Sequence, residues 1–252
     1  MLNDIKKFLL YLKEQKKVSH NTELSYERDL RYFTAYLNQE GIMEWRKVTA
    51  TAVQSYMIFL EKEGKSAATI SRMFAALRAF FYYALCEHIV EEDPTRLIHH
   101  PKVEKKQTEI MTEEEIERLL RQPSKRTPKE LRDRAILQLL YATDLKVTEI
   151  ISLKISDLNM TFHYITSRQR KRSIPFDLGV KEALNCYLIE ARPQLVKEEG
   201  EPYLFLSCLG KPMSRQGVWK LLKAYAREAG ISKEITSRTL RYSFEASLNA
   251  AN

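Results

Sequence analysis

The 252-residue chain is short of the residue patterns that mark loop-rich, secreted or membrane-bound proteins. It has 7 Gly, 8 Pro and no low-complexity stretch, which argues against extensive disorder. No apolar run approaches the length of a membrane span, and the N-terminus lacks an apolar segment followed by a small-residue cleavage site. We therefore expect a cytoplasmic protein with no membrane partner and no signal peptide.

Cysteine and histidine are also scarce. Cys86, Cys186 and Cys208 are odd in number and far apart, so they form neither a CxxC pair nor a probable disulfide framework. We expect reduced thiols in or near the core. The His99-His100 pair has no Cys or second His pair at zinc spacing, so the sequence predicts no metal ligands.

What the chain has in excess is positive charge, and this charge is unevenly distributed. The formal net charge is +8. Residues 1–100 hold 14 Lys and Arg against 13 Asp and Glu, whereas residues 101–252 hold 27 against 20. A basic chain suits a polyanionic partner, although many basic proteins bind no nucleic acid. If the chain binds a polyanion, the charge distribution favours residues 101–252 as the binding region, but charge alone does not establish the function.

Residues 1–90 are predicted to form four helices separated by short breaks. Apolar residues recur at helical spacing in each segment, as in a small bundle of one-sided helices. Ser19 is placed to cap the second helix, and Gly41 and Gly64 end the second and third. The fourth segment has the most regular apolar face, which consists of Ile70, Met73, Phe74, Leu77, Phe81, Ala84 and Leu85.

Three cations of the fourth segment lie beyond its apolar face: Lys65, Arg72 and Arg78. They have two interpretations, as contacts to a DNA backbone or as an ordinary solvated surface. From the residues alone, the solvated surface is the simpler interpretation.

A polar stretch over residues 101–111, with Pro101 and several lysines, is predicted to be a linker. Thr112 and Glu115 then form a T-x-x-E capping box ahead of an apolar stripe, so a second domain begins there. Within it, residues 162–166 and 173–176 are predicted as the two strands of a hairpin. The tip between them carries the cations Arg168, Arg170, Lys171 and Arg172.

Two further groups of cations follow along the second domain. Arg215, Lys220 and Lys223 occupy the exposed side of a predicted helix and could meet phosphates. Near the C-terminus, residues 236–244 are predicted to begin a helix whose apolar face includes Leu240, Phe244 and Leu248. Arg238 and Arg241 can point together from its first turn, where free backbone N–H groups favour a phosphate. Two solvated surface arginines are the alternative.

Several long motifs of the chain resemble the tyrosine recombinases, the phage-integrase family, in particular the Xer branch. TLRYSF at residues 239–244 resembles the family's HTLRHSF box, and YATDLKVTEIISLKISDLN at 141–159 resembles its first catalytic box. The segments at 19–37, 66–98 and 203–231 are also similar, so the resemblance covers nearly the whole chain.

The resemblance implies a mainly α fold with a small β-sheet, built from two domains. Residues 1–100 would be a SAM-like core-binding helical domain and residues 101–111 a linker. Residues 112–252 would be a tyrosine-recombinase catalytic-type domain that is incomplete at its C-terminus. The implied partner is double-stranded DNA, with no small-molecule substrate and no cofactor.

In that family a tyrosine attacks a phosphodiester, while positioned cations and an acid stabilise the transition state and protonate the leaving oxygen. The resemblance places the family's first arginine at Lys146, its hairpin lysine at Ser167 and its histidine at Arg238. The second arginine is retained as Arg241. The position after it, usually histidine, is Tyr242.

The family's remaining histidine or tryptophan and its nucleophilic tyrosine lie a few dozen residues beyond this box, whereas the sequence ends at Asn252. Because that tyrosine belongs to a separate later helix, we expect Tyr242 to be a packing or DNA-edge residue. The resemblance therefore implies DNA binding with little or no catalysis. Two alternatives remain: recombination with a related recombinase that supplies the tyrosine, and a non-catalytic regulator that binds such a partner.

Overall fold

The computed structural model describes residues 1–98, 109–167 and 171–250. It divides into two compact units, Met1–Lys105 (unit 1) and Lys106–Asn252 (unit 2). Helices dominate the described residues, and unit 2 adds a three-stranded sheet, so the predicted mainly α fold with a small sheet is confirmed. Most of the predicted linker, the cations Arg168 and Arg170 and the side chain of Leu248 lie outside what the structure describes.

Unit 1 is a helical bundle with an aromatic core. Its α-helices are α1 (Leu2–Glu14), α2 (His20–Gln39), α3 (Ala50–Lys62) and α4 (Ala67–Cys86). The ring of Phe80 lies edge-on to Phe8 at 5.5 Å and 4.4 Å from the ring of Trp45. Because these buried rings come from different segments, they hold the bundle together.

The ends of these helices follow local sequence signals. The Ser19 hydroxyl accepts a hydrogen bond from the Thr22 N–H at 3.2 Å, which caps α2 as predicted. Gly41 and Gly64 follow α2 and α3 with φ of +75° and +69°. This left-handed backbone suits glycine and stops a helix.

Unit 2 packs its helices around α6. The helices are α5 (Glu113–Arg121), α6 (Pro128–Ala142), α7 (Val147–Ser152), α8 (Leu178–Cys186), α9 (Arg192–Leu195), α10 (Arg215–Glu228) and α11 (Ser237–Ala250). A π-helical turn, Tyr187–Ala191, joins α8 to α9. The predicted capping box is present: the Glu115 N–H donates to the Thr112 hydroxyl at 3.2 Å, and the Thr112 N–H donates to the Glu115 carboxylate at 2.9 Å.

The sheet of unit 2 is antiparallel in the order β1 (Leu158–Asn159), β2 (Tyr164–Ser167), β3 (Arg172–Pro175). The predicted hairpin is β2 and β3, with Ser167 paired to Arg172. The first strand of the hairpin, β2, begins two residues later than predicted because Phe162 and His163 form a turn. The Phe162 N–H donates to the Asn159 side chain at 2.9 Å, and His163 has a φ of +54°.

Two sequence expectations about burial are wrong. Cys86 and Cys208 are exposed, and only Cys186 is half-buried. Leu85, assigned to the apolar face of α4, is 37% exposed. Ala84 faces the core, and each later helical residue turns about 100° further, so Leu85 and Cys86 leave the core at the end of α4. Cys208 lies in the loop between α9 and α10.

A buried ionic cluster ties α6 to α10 and to the loop before α10. The Arg132 guanidinium donates to the Asp133 carboxylate at 2.9 and 2.6 Å and to the Leu206 carbonyl at 2.9 Å. The Tyr225 hydroxyl donates to the same carboxylate at 3.1 Å. Burial, and then the negative charge of Asp133, raises the pKa of Tyr225 above its ordinary value. The hydroxyl therefore stays protonated as a donor.

None of the helices in the described ranges is long and apolar enough to cross a membrane.

We predict that Asp133→Ala lowers the free energy of unfolding by about 3–5 kcal/mol, because it leaves the Arg132 guanidinium buried without its carboxylate. Tyr225→Phe should cost about 1 kcal/mol, the value of one hydrogen bond. Urea unfolding measures both. The matched control is Lys129→Ala, since Lys129 bonds the same carboxylate at 3.1 Å but is 58% exposed. Equal losses in Asp133→Ala and Lys129→Ala would contradict a structural role for the cluster.

Candidate nucleic-acid interface

Four of the sequence-predicted site residues line one cleft in unit 2: Lys146, Arg215, Arg238 and Arg241. Arg215 is the first residue of α10. The cleft has a volume of about 300 Å³, and its other lining residues are Leu145, Val147, Thr148 and Ser237. Since the described residues that line the cleft include four cations and no carboxylate, its chemistry suits an anion such as a phosphate.

The N-terminus of α11 forms one wall of this cleft. Its predicted start is confirmed, because Thr236 precedes the first helical residue, Ser237. The Thr239 N–H donates to the Thr236 hydroxyl at 3.1 Å, and the Thr236 N–H donates to the Thr239 hydroxyl at 3.2 Å. This reciprocal cap fixes the first turn, so the positive end of the helix dipole faces the cleft beside Arg238.

The next turn of α11 is anchored in the core of unit 2. Leu240 is fully buried. The Ser243 hydroxyl accepts a hydrogen bond at 2.8 Å from the backbone N–H of Met111, just before α5. The ring of Phe244 meets Tyr141 of α6 edge-on at 5.5 Å. The arginines of α11 therefore project from a backbone that is held on its opposite side.

Tyr242 lies close to both arginines of α11. The guanidinium carbons of Arg238 and Arg241 are 5.6 and 5.7 Å from the centre of its ring. Each contact is within cation–π range, with about 0.5–1 kcal/mol expected at a partly exposed site. The ring thus helps to orient both guanidinium groups. Sequence reasoning gave Tyr242 a packing or DNA-edge role and missed this double contact.

A buried carboxylate, Glu149, lies behind the cleft and organises two predicted site positions. The backbone N–H of Lys146 donates to one of its oxygens at 3.0 Å, and the Ser167 hydroxyl donates to the other at 3.0 Å. Glu149 and Ser167 are each 3% exposed. The side chain of Ser167 therefore serves to join β2 to the start of α7.

The described part of the hairpin tip carries Lys171 and Arg172, both exposed. The Arg172 guanidinium lies 2.5 Å from the Asp144 carboxylate, where both side chains are partly solvated. This ion pair offsets part of the positive charge that the sequence predicts for the tip. Lys171 adopts a φ of +51°, as in a tight turn.

The predicted cations of α10 are exposed. Arg215 reaches the cleft, and Lys220 and Lys223 lie further along the helix. The Lys223 amine lies 4.2 Å from the ring centre of Trp219, which sequence reasoning did not single out. The four-residue spacing from Arg215 to Trp219 was the available signal, since such residues share a helix face.

In unit 1 the three predicted cations differ in their surroundings. Lys65 and Arg78 are exposed, and the Lys65 amine lies 5.7 Å from the ring centre of Tyr32. Arg72 is instead turned inward, where it forms an ion pair with the buried Asp29 carboxylate and donates to the Ser25 hydroxyl at 2.8 Å.

Comparison with known families yields two sequence-profile matches that together span most of the chain. The profile described as the phage integrase family matches residues 109–252. The profile described as the N-terminal SAM-like domain of phage integrases matches residues 5–88. The predicted pairing of a SAM-like helical domain with an integrase catalytic-type domain is thereby confirmed.

Individual relatives agree with the profiles. The chain is 38% identical over 249 residues to the tyrosine recombinase XerD of Listeria monocytogenes serotype 4b, covering 96% of this chain and 84% of the relative. It is 36% identical over 246 residues to XerD of Halalkalibacterium halodurans, covering 96% and 82%.

Solved structures share the fold. The Tn1549 transposon integrase in complex with circular intermediate DNA matches with a TM-score of 0.76 at 18% identity, over 99% of this chain and 87% of that one. The XerH recombinase bound to a palindromic difH substrate matches with a TM-score of 0.73 at 17% identity, over 100% and 74%.

We predict that Arg72→Ala lowers the free energy of unfolding by roughly 2–3 kcal/mol, because it removes the close partner of the buried Asp29 carboxylate. The value is set below the range for fully buried pairs since Arg72 is 35% exposed and Arg28 lies 3.8 Å from the same carboxylate. Urea unfolding of the full chain measures this loss.

The matched control is Arg78→Ala on the same helix, where we expect a change within about 0.5 kcal/mol because Arg78 is exposed. If both variants unfold like the wild type, the Arg72–Asp29 pair contributes nothing to stability.

Proposed function

Because the chain belongs to the phage integrase family, the tyrosine recombinases, we propose that it binds double-stranded DNA through the cleft of Lys146, Arg215, Arg238 and Arg241 and catalyses little or no strand cleavage. The observation that carries the proposal is the convergence of four cations, with no carboxylate among the described lining residues. Three of these cations, Lys146, Arg238 and Arg241, lie in or next to the segments that resemble the family's catalytic boxes. A phosphodiester is the anion that such a cleft in this family would receive.

The DNA part of the proposal rests on charge and on the relatives. Phosphate contacts supply most of the non-specific affinity for DNA and hold the protein in register on the duplex. The matched Tn1549 integrase structure is a complex with circular intermediate DNA, and the matched XerH structure is bound to a palindromic difH substrate. The proposal concerns phosphate contacts at the cleft and assigns no base-edge contacts, which are the contacts that set sequence preference.

The catalytic part rests on three altered positions within the chain. Lys146 keeps the charge of the family's arginine but loses the planar fork that bonds two phosphate oxygens. Ser167 replaces a lysine and is committed to the buried Glu149. Arg238 replaces a histidine, and an arginine is a poor proton donor at neutral pH. Losing one preorganised donor costs about 10²–10³ in rate, so we expect three losses to suppress cleavage.

We predict that the purified chain binds a duplex of a few tens of base pairs with an affinity that falls steeply as salt rises. The slope of log affinity against log salt is about 0.9 per phosphate contacted. Arg238→Ala should weaken binding and lower that slope by about 1, because an exposed cleft cation is lost. Fluorescence anisotropy of labelled duplex provides both values.

The control is Arg121→Ala, since Arg121 is a 77% exposed cation of unit 2 that is paired with Glu117 and absent from the cleft. Its slope should equal that of the wild type. Absence of binding at low salt would overturn the proposal. Equal salt slopes in Arg238→Ala and Arg121→Ala would show that the cleft is not the DNA-binding site.

We further predict that the chain forms no covalent adduct with a nicked duplex that traps the phosphotyrosyl intermediate. Denaturing electrophoresis detects such an adduct, and an intact Xer-type recombinase on its own trapped site is the positive control. An adduct formed by the chain alone would contradict the proposed loss of cleavage. Product that requires both proteins would instead favour action with a partner recombinase.

A further inference from the structure

One face of α10 continues directly from the cationic cleft. Arg215 lines the cleft, and Trp219 and Lys223 follow at successive four-residue steps, so the three side chains share a helix face. No Asp or Glu occurs from Arg215 to Arg227. A duplex held by its phosphates at the cleft therefore has an uninterrupted basic helix face on which to extend.

Trp219 is the large apolar side chain on this basic face. The chain has two tryptophans, and Trp45 is 3% exposed in the core of unit 1, whereas Trp219 is 48% exposed. The Lys223 amine, 4.2 Å from the centre of its ring, holds one side of the indole by a cation–π contact. About half of the indole surface thus stays in water, where an apolar partner surface would stabilise it.

We propose that Trp219 is an apolar contact to bound duplex DNA, packing against deoxyribose and base edges while Arg215, Lys220 and Lys223 neutralise phosphates around it. The inference rests on the proposed function, because it requires DNA at the cleft. The surrounding cations select a polyanion as the partner of this face. Base edges offer apolar groups, such as the thymine methyl, that an aromatic ring can contact.

This assignment separates two components of affinity. A contact made by an uncharged ring releases no counterions, so it contributes to affinity without contributing to the salt slope. Lys220, exposed on the same helix, provides the opposite case: its charge contributes to the slope. The two residues therefore give different signatures in the same titration.

The first test uses the tryptophan fluorescence of the wild-type protein. Acrylamide is a neutral quencher, so the charge of the cleft does not bias it, and Trp45 is shielded in the core. We expect random-sequence duplex, added at low salt, to protect Trp219 and lower the quenching toward that of the buried residue. Trp219→Phe serves as the control, since its remaining signal comes from Trp45 and should not respond to DNA.

The second test measures affinity in three variants. Trp219→Ala should bind about tenfold more weakly with an unchanged salt slope, because only apolar contact is lost. Lys220→Ala should bind more weakly with a slope lower by about 0.9. Ile189→Ala, which removes another exposed apolar side chain of unit 2 that is 74% exposed, should bind like the wild type. Circular dichroism checks that each variant is folded.

The outcomes separate this inference from the proposed function. Wild-type binding with unchanged acrylamide quenching, or with full affinity in Trp219→Ala, overturns the Trp219 contact and leaves DNA binding in place. No binding by the wild-type protein overturns both. Protection of Trp219 together with a tenfold loss at unchanged slope supports the contact.

Discussion

The buried carboxylate of Glu149 is the constraint on which the cleft of unit 2 depends. A carboxylate that is 3% exposed must be hydrogen-bonded, since an unpaired buried charge is strongly destabilising. Glu149 meets this requirement with the backbone N–H of Lys146 and the hydroxyl of Ser167. These bonds fix the start of α7 relative to β2, and they hold the backbone of Lys146, which lines the cleft together with residues of α11.

The same physical rule decides which cations of the chain face solvent. Asp29 in unit 1 and Asp133 in unit 2 are buried carboxylates, and each draws an arginine inward. Arg72 and Arg132 are thereby committed to stability. A basic sequence therefore overstates the cationic surface, whereas the cations that line the cleft and those of α10 stay accessible.

The sequence allowed the longer helices, the caps at Ser19 and Thr112 and the arginine pair of α11 to be predicted, because periodicity and capping depend on residues a few positions apart. The short helices α7 and α9 were not predicted. The Arg72–Asp29 pair and the Tyr225–Asp133 bond join residues 43 and 92 positions apart, which no local pattern encodes. The exposure of Cys86 and Leu85 was missed because a helical period gives a face but not the point where the core ends. Trp219 was missed because only the charged residues on the exposed side of this helix were considered as contacts to a partner.

Charge and geometry separate the proposed DNA binding from the proposed loss of cleavage at the three positions that the resemblance marks as altered. Where the resemblance marks altered positions, Lys146 keeps a positive charge, Arg238 carries one in place of the family's histidine, and Ser167 lacks the charge of the family's lysine. Affinity for a duplex follows the number of phosphates neutralised, so this exchange leaves it nearly intact. Cleavage depends on which donor lies at which oxygen and on a group able to release a proton. The substitutions therefore act on the proposed chemistry far more than on the proposed binding, which is why a cleft with a full set of cations is compatible with little or no strand transfer.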